Sequence, residues 1–121
     1  PEFMPAWLSE GFPDAIQNSP YSGAAIAERK PQAQTAMSKA TTFYGHRPTL
    51  SEMGYYSNLT TEYNYYDLAG PMTDFVVRTW GWDGVKKLIL NRAQDVTVLS
   101  VKDAEEFMTL FYAFYDQTWA Q

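Results

Sequence analysis

The sequence predicts an all-α fold, an irregular bundle of about five helices. Three observations predict it: apolar residues recur at helical spacing through the C-terminal half, capping residues stand just before those runs, and rings are abundant enough to fill a small core. With four Trp, nine Tyr and seven Phe, aromatic residues make up 17% of the 121-residue chain. A chain of this length buries about two thirds of its unfolded surface, so one domain over residues 4–121 is expected to hold together without staples. Pro1, Glu2 and Phe3 precede Met4 and read as a cloning scar, excluded from the fold. Met4 itself is either a natural or an engineered start.

Taken in order, residues Ala6 to Ile16 pattern weakly as a helix that Pro13 either bends or begins, because proline cannot donate to the carbonyl of Ser9. Asn18 to Ser22 is a turn cluster. Gln32 to Thr42 has helix-forming composition with little apolar periodicity, which makes a marginal helix. Pro48-Thr49-Leu50-Ser51-Glu52 reads as a short helix start.

Met72, Phe75, Val76, Thr79 and Trp80 then form one stripe of a helix, with Asp74 and Arg78 on the other face. Pro71 is tolerated cheaply only in a first turn, so the start is expected near Leu68 or Gly70, and Gly81 is the stop. A further short helix turns Val85, Leu88 and Ile89 inward and Lys86 and Lys87 outward, ending at Asn91. Val96, Val98 and Val101 are β-branched and suit a short extended stretch. Ala104, Phe107, Met108, Phe111, Tyr115 and Trp119 set the last helix, with Ser100 before Asp103, or Asp103 before Glu106, as its capping signature.

Composition excludes several classes. Nine Lys and Arg against 14 Asp and Glu give a net charge of −5 without a basic cluster, which argues against nucleic acid as a partner. The absence of cysteine removes disulfides, thiolate metal sites and thiol nucleophiles. No apolar run approaches a spanning helix and no targeting segment is visible, so membrane insertion is not expected. His46, the only histidine, sits in the loop sequence Tyr44-Gly45-His46-Arg47-Pro48 and reads as solvated. Asn58-Leu59-Thr60 fits a glycosylation pattern that carries meaning only in a secreted protein.

Met4-Pro5-Ala6-Trp7-Leu8-Ser9-Glu10-Gly11-Phe12 resembles the P-x-W-L-x-E-G-(F/L)-A segment of gluzincin zinc peptidases. Tyr66-Asp67-Leu68-Ala69-Gly70, followed after a few residues by Phe75-Val76, resembles their Y-x-x-A-G-S-F-V segment. Trp80-Gly81-Trp82-Asp83-Gly84-Val85-Lys86-Lys87-Leu88 is similar to the Y-G-x-E-K-L turn and helix, Thr49-Leu50-Ser51-Glu52-Met53 to the P-(S/T)-L-x-E-L stretch, and Ala104-Glu105-Glu106-Phe107 to the closing helix. The matches run in family order along nearly the whole chain. Pro13-Asp14-Ala15 and Pro71 depart from the family pattern.

The resemblance implies the C-terminal helical subdomain of a zinc-dependent peptidase acting on peptides or proteins. Glu10 would be its third zinc ligand, and Tyr66, or Tyr65 one residue away, the donor to the tetrahedral oxyanion. The HExxH helix, with two histidine ligands and the general base, does not occur in this sequence. Zinc is therefore expected in an intact parent and not in this chain alone, which should be inactive by itself. An apolar face left without that helix would invite a homodimer. Two other readings stand beside it: a stand-alone module that binds protein, peptide or carbohydrate through Tyr55, Tyr56, Tyr63 and Tyr65, and a purely structural helical module.

Overall fold

The computed structural model describes residues 4–54, 66–93 and 95–121. Within them the chain forms five α-helices, α1 (Ala6–Asn18), α2 (Gly23–Tyr44), α3 (Leu50–Met53), α4 (Tyr66–Leu90) and α5 (Ala104–Thr118), with a 3-10 turn at Val96–Leu99 between the last two. No strand occurs among the described residues, and the all-α expectation holds. No helix among them is long and apolar enough to cross a membrane.

The helix starts follow side-chain chemistry. Thr49 and Glu52 close a reciprocal capping box on α3, and Asp103 accepts from the Glu106 amide to open α5. The Glu106 carboxylate bonds the Lys102 amide, so that cap is displaced by one residue from the full box. Ser22 caps α2, and Gly45 ends it at φ 77°, a left-handed conformation that suits glycine. α1 has no side-chain cap; its Ala6 amide instead bonds the Gly54 carbonyl just past α3, tying the two helices end to end.

α1 lies along α4 in the most extensive helix pairing of the fold. The crossing is built on small residues. A methyl group on Gly11 would stand 2.3 Å from the Ala69 carbonyl oxygen, so glycine is what lets the two backbones approach. On either side of this crossing Trp7, Leu8, Leu68 and Met72 are fully buried. Around Phe75, the rings of Trp80, Phe107, Phe111 and Phe114 lie 5.4 to 5.7 Å away, making the ring-rich core that composition predicts. Each large side chain taken fully from water contributes about 1.5–3 kcal/mol.

Five expectations need correction. α1 does not begin at Pro13: it spans Ala6–Asn18 with the proline inside it, and buried residues stand on both sides, Trp7, Leu8 and Gly11 before it and Ala15 after. α2 is 22 residues long and includes Pro31, where the sequence marked only a marginal helix. Its buried stripe is Ala33, Ala36, Met37 and Ala40, a helical spacing of small residues that gives little hydrophobic contrast. α4 begins at Tyr66, leaving Pro71 inside it and the Asp67 carbonyl without its helical donor. Residues 96–99 coil into a 3-10 turn rather than an extended stretch, since Asp95 captures both the amide and the hydroxyl of Thr97. Asp74, placed on the polar face by its spacing, is fully buried.

Gly81 breaks α4 as expected, at φ 73° and ψ −178°, so that Val85 and Leu88 fold back inward beyond the kink.

Candidate functional site

α1 presents Glu10 and, one turn later, Asp14 on one face. That face opens on a cleft of about 310 Å³ lined by Glu10, Asp14, Arg29, Gln32, Asp67, Gly70, Pro71 and Trp119. The cleft thus lies between the middle of α1, the first turns of α4 and the first half of α2, with the C-terminal end of α5 at one side. Gln34 donates to the Trp119 carbonyl at 2.9 Å and Lys30 to the Gln121 carbonyl at 2.8 Å, which pins the C-terminal residues against α2.

One wall is a bonded cluster. Arg29 Nη1 donates to both Asp14 carboxylate oxygens, at 2.8 and 2.9 Å, and to the Tyr21 hydroxyl at 2.9 Å. The Tyr21 hydroxyl also donates to Asp14, and the guanidinium lies over the tyrosine ring at 4.8 Å. A methyl group on Gly70 would meet this cluster at 2.3 Å from the Tyr21 hydroxyl, so α4 packs against it only because that residue is glycine.

A second polar group fixes Tyr21. The buried Asp74 carboxylate accepts from Ser19 Oγ at 2.5 Å, from the Tyr21 amide at 3.3 Å and from Arg78 Nε at 2.7 Å. Arg78 also donates to the Tyr21 carbonyl at 2.6 Å. Buried charge is tolerated here because each Asp74 oxygen has a donor. The turn between α1 and α2 is thereby locked to α4, and Tyr21 is held beside the cleft.

Glu10 and Asp67 differ from Asp14: among the described residues neither has a hydrogen-bond partner. Burial raises the Asp67 carboxyl above its ordinary range, and the charge of Arg29 works against that rise. Trp119 is fully buried, and among the described residues its Nε1–H has no acceptor.

The sequence-predicted residues are distributed unevenly. Glu10 lines the cleft, and Asp67 and Gly70 of the Tyr66–Gly70 motif line it with Glu10. Tyr66 opens α4, but its side chain lies outside the described residues, as do Tyr55, Tyr56, Tyr63 and Tyr65. His46 is exposed and stacked on Tyr44, away from Glu10's cleft. Asp14 could have been found from its i+4 spacing to Glu10 and Asp67 from its motif; Arg29 and Trp119 carried no comparable signal.

A metal site by itself is not assembled. Among the described residues no group of three or more His, Cys, Asp or Glu could hold a metal ion. The described residues do not by themselves make up the three-ligand set of a zinc site. Compared with family profiles, curated proteins and solved structures, the chain gives no match.

Proposed function

We propose that this chain is the helical part of a gluzincin-type zinc peptidase, offering Glu10 as one carboxylate ligand to a metal whose imidazole ligands come from outside these 121 residues. The observation that carries this reading is the seating of one resembling segment on another. Gly11, which follows Glu10, packs on the Ala69 carbonyl, while Gly70 packs on Asp14 and Tyr21. Two motifs about sixty residues apart in sequence thus meet as one unit, and Glu10 stands at its open side. A catalytic zinc needs three protein ligands and an open position, and Glu10 is a single carboxylate available to such a set.

The test is twofold. The coding sequence upstream of Met4 should hold an in-frame HExxH, and the protein extended to include it should bind zinc by calorimetry. Glu10→Ala in the extended protein should weaken that binding roughly 100-fold or more, the scale on which disturbing even the outer shell of a metal site acts. An upstream sequence without HExxH, or an extended protein indifferent to Glu10→Ala, overturns the reading and favours a non-catalytic binding module.

A further inference from the structure

Beyond the Gly81 kink, α4 runs on from Trp82 to Leu90 with two faces of different character. Gly84, Val85 and Leu88 are buried, while Trp82, Asp83, Lys86, Lys87 and Leu90 are exposed. At about 100° per residue, Trp82, Lys86 and Leu90 fall within about 80° of one another and span about 12 Å along the axis. Trp82 is 44% exposed and Leu90 72%, the highest among the large apolar residues described. Single apolar residues on a surface need no explanation. Two on one outward stripe, with a lysine between them, form a local amphipathic ridge.

The charge of this ridge runs against that of the chain. Among the described residues neither Lys86 nor Lys87 forms an ion pair, although Asp83 lies one turn away on the same helix. Arg92 follows, exposed, in the left-handed turn that ends the helix at φ 53°. Asp95, the next carboxylate along the chain, accepts from the amide and hydroxyl of its own Thr97. Residues 82–95 thus carry three cations against two anions in a chain whose net charge is −5. A positive, partly apolar ridge on an acidic chain is complementary to a surface that is anionic outside and apolar just beneath.

We infer that the Trp82–Leu90 ridge rests on an anionic lipid surface. A single outward helix face is convex, and a flat bilayer takes Trp82 and Leu90 together without a groove shaped to receive them. Lys86 and Lys87 meet the headgroups, their stems lying along the apolar boundary. Tryptophan suits that depth, since its ring is apolar and its N–H polar. The helix lies on the surface and does not cross it, as no described helix is long and apolar enough to span a membrane. This contact uses neither Glu10 nor a metal and goes beyond the zinc reading.

The test uses the 121-residue chain and sedimented vesicles, either an equimolar mixture of phosphatidylserine and phosphatidylcholine or phosphatidylcholine alone. The mixed vesicles are expected to bind the chain more tightly than phosphatidylcholine alone, and rising salt should release it. Near an anionic surface each lysine contributes about fivefold, so Lys86→Gln with Lys87→Gln should lower the partition about thirtyfold. Trp82→Ala should lower it about tenfold. Lys39→Gln, an exposed lysine on α2, should leave it unchanged. Circular dichroism checks that each variant keeps its helicity. No partition onto the mixed vesicles overturns the assignment and leaves the ridge to an acidic protein partner. Equal binding to both vesicles, or indifference of a folded protein to the Trp82 or double-lysine change, also overturns it. Zinc calorimetry reads Glu10 and a different ligand, so failure of one result leaves the other standing.

Discussion

Placing a methyl group on Gly11 tests the α1–α4 crossing directly. The new Cβ would lie 2.1 Å from Thr73 Oγ1 and 2.3 Å from the Ala69 carbonyl oxygen. The threonine hydroxyl can rotate; the carbonyl belongs to the α4 backbone and cannot. Since carbon and oxygen rest comfortably at about 3.3 Å, the helices must part locally by about 1 Å. A gap of that size removes about a quarter to a half of the dispersion attraction of each facing atom pair. Overpacking of this kind costs about 3 kcal/mol at its upper end, while alanine returns about 1 kcal/mol of helix propensity over glycine. The net loss is about 2 kcal/mol. At about 2.1 cal/mol/K per residue, the chain's unfolding entropy is roughly 0.25 kcal/mol/K, so Gly11→Ala should melt about 8 °C lower. Thermal denaturation followed by circular dichroism measures this. Gly23→Ala is the control, since a methyl group there meets nothing within 4 Å. A Gly11→Ala protein that melts with or above the parent chain would refute the crossing and, with it, the packing behind the proposed role of Glu10.

The remaining predictions concern the buried polar groups. Arg78→Ala leaves the Asp74 carboxylate buried without its cation and should cost about 3–5 kcal/mol. Asp74→Asn should cost less, about 2–3 kcal/mol, because the partly exposed Arg78 can rehydrate; urea midpoints in the opposite order would show that the charge pair does not hold the turn. Tyr112 donates its hydroxyl to the Pro48 carbonyl at 2.5 Å, so Tyr112→Phe should lose about 1–3 kcal/mol at neutral pH. Burial raises the Tyr112 phenol above its ordinary value, so its contribution is complete below about pH 10 and is lost as pH rises through the folded-state value. Urea unfolding measured across alkaline pH should therefore show a flatter decline for Tyr112→Phe, and parallel curves would count against a buried phenol.

Where the sequence was legible, the signal was strong on one residue scale. α5 announced itself through Phe107, Phe111, Tyr115 and Trp119, and Asp103 and Thr49 named their own helix starts. α2 hid because its buried stripe is mostly alanine: Ala33, Ala36 and Ala40 bury little area each, and a pattern of bulky residues does not register them. Asp74 hid for the converse reason. A charged residue at polar spacing reads as solvent-facing, and the turn folding back with Ser19 and Tyr21 adds to Arg78 the donors that let Asp74 be buried. The cleft was half legible, since Glu10 and the Tyr66–Gly70 motif pointed to it, whereas Arg29 and Trp119 arrive there from elements whose docking no local pattern encodes.

The lock between the first turn and α4 also bears on how the chain finds its structure. Ser19 and Asp74 are separated by 55 residues, and joining them closes a loop whose entropy costs about 3.5 kcal/mol beyond a constant. That cost precedes the reward of burying Asp74, so the α1–α4 pairing is expected to form late and to limit refolding, after the more local contacts. The same logarithm is forgiving of length: doubling the segment between the two helices would add only about 0.6 kcal/mol. Lengthening the chain between α3 and α4 should therefore slow refolding modestly and leave the crossing, and the cleft beside it, intact.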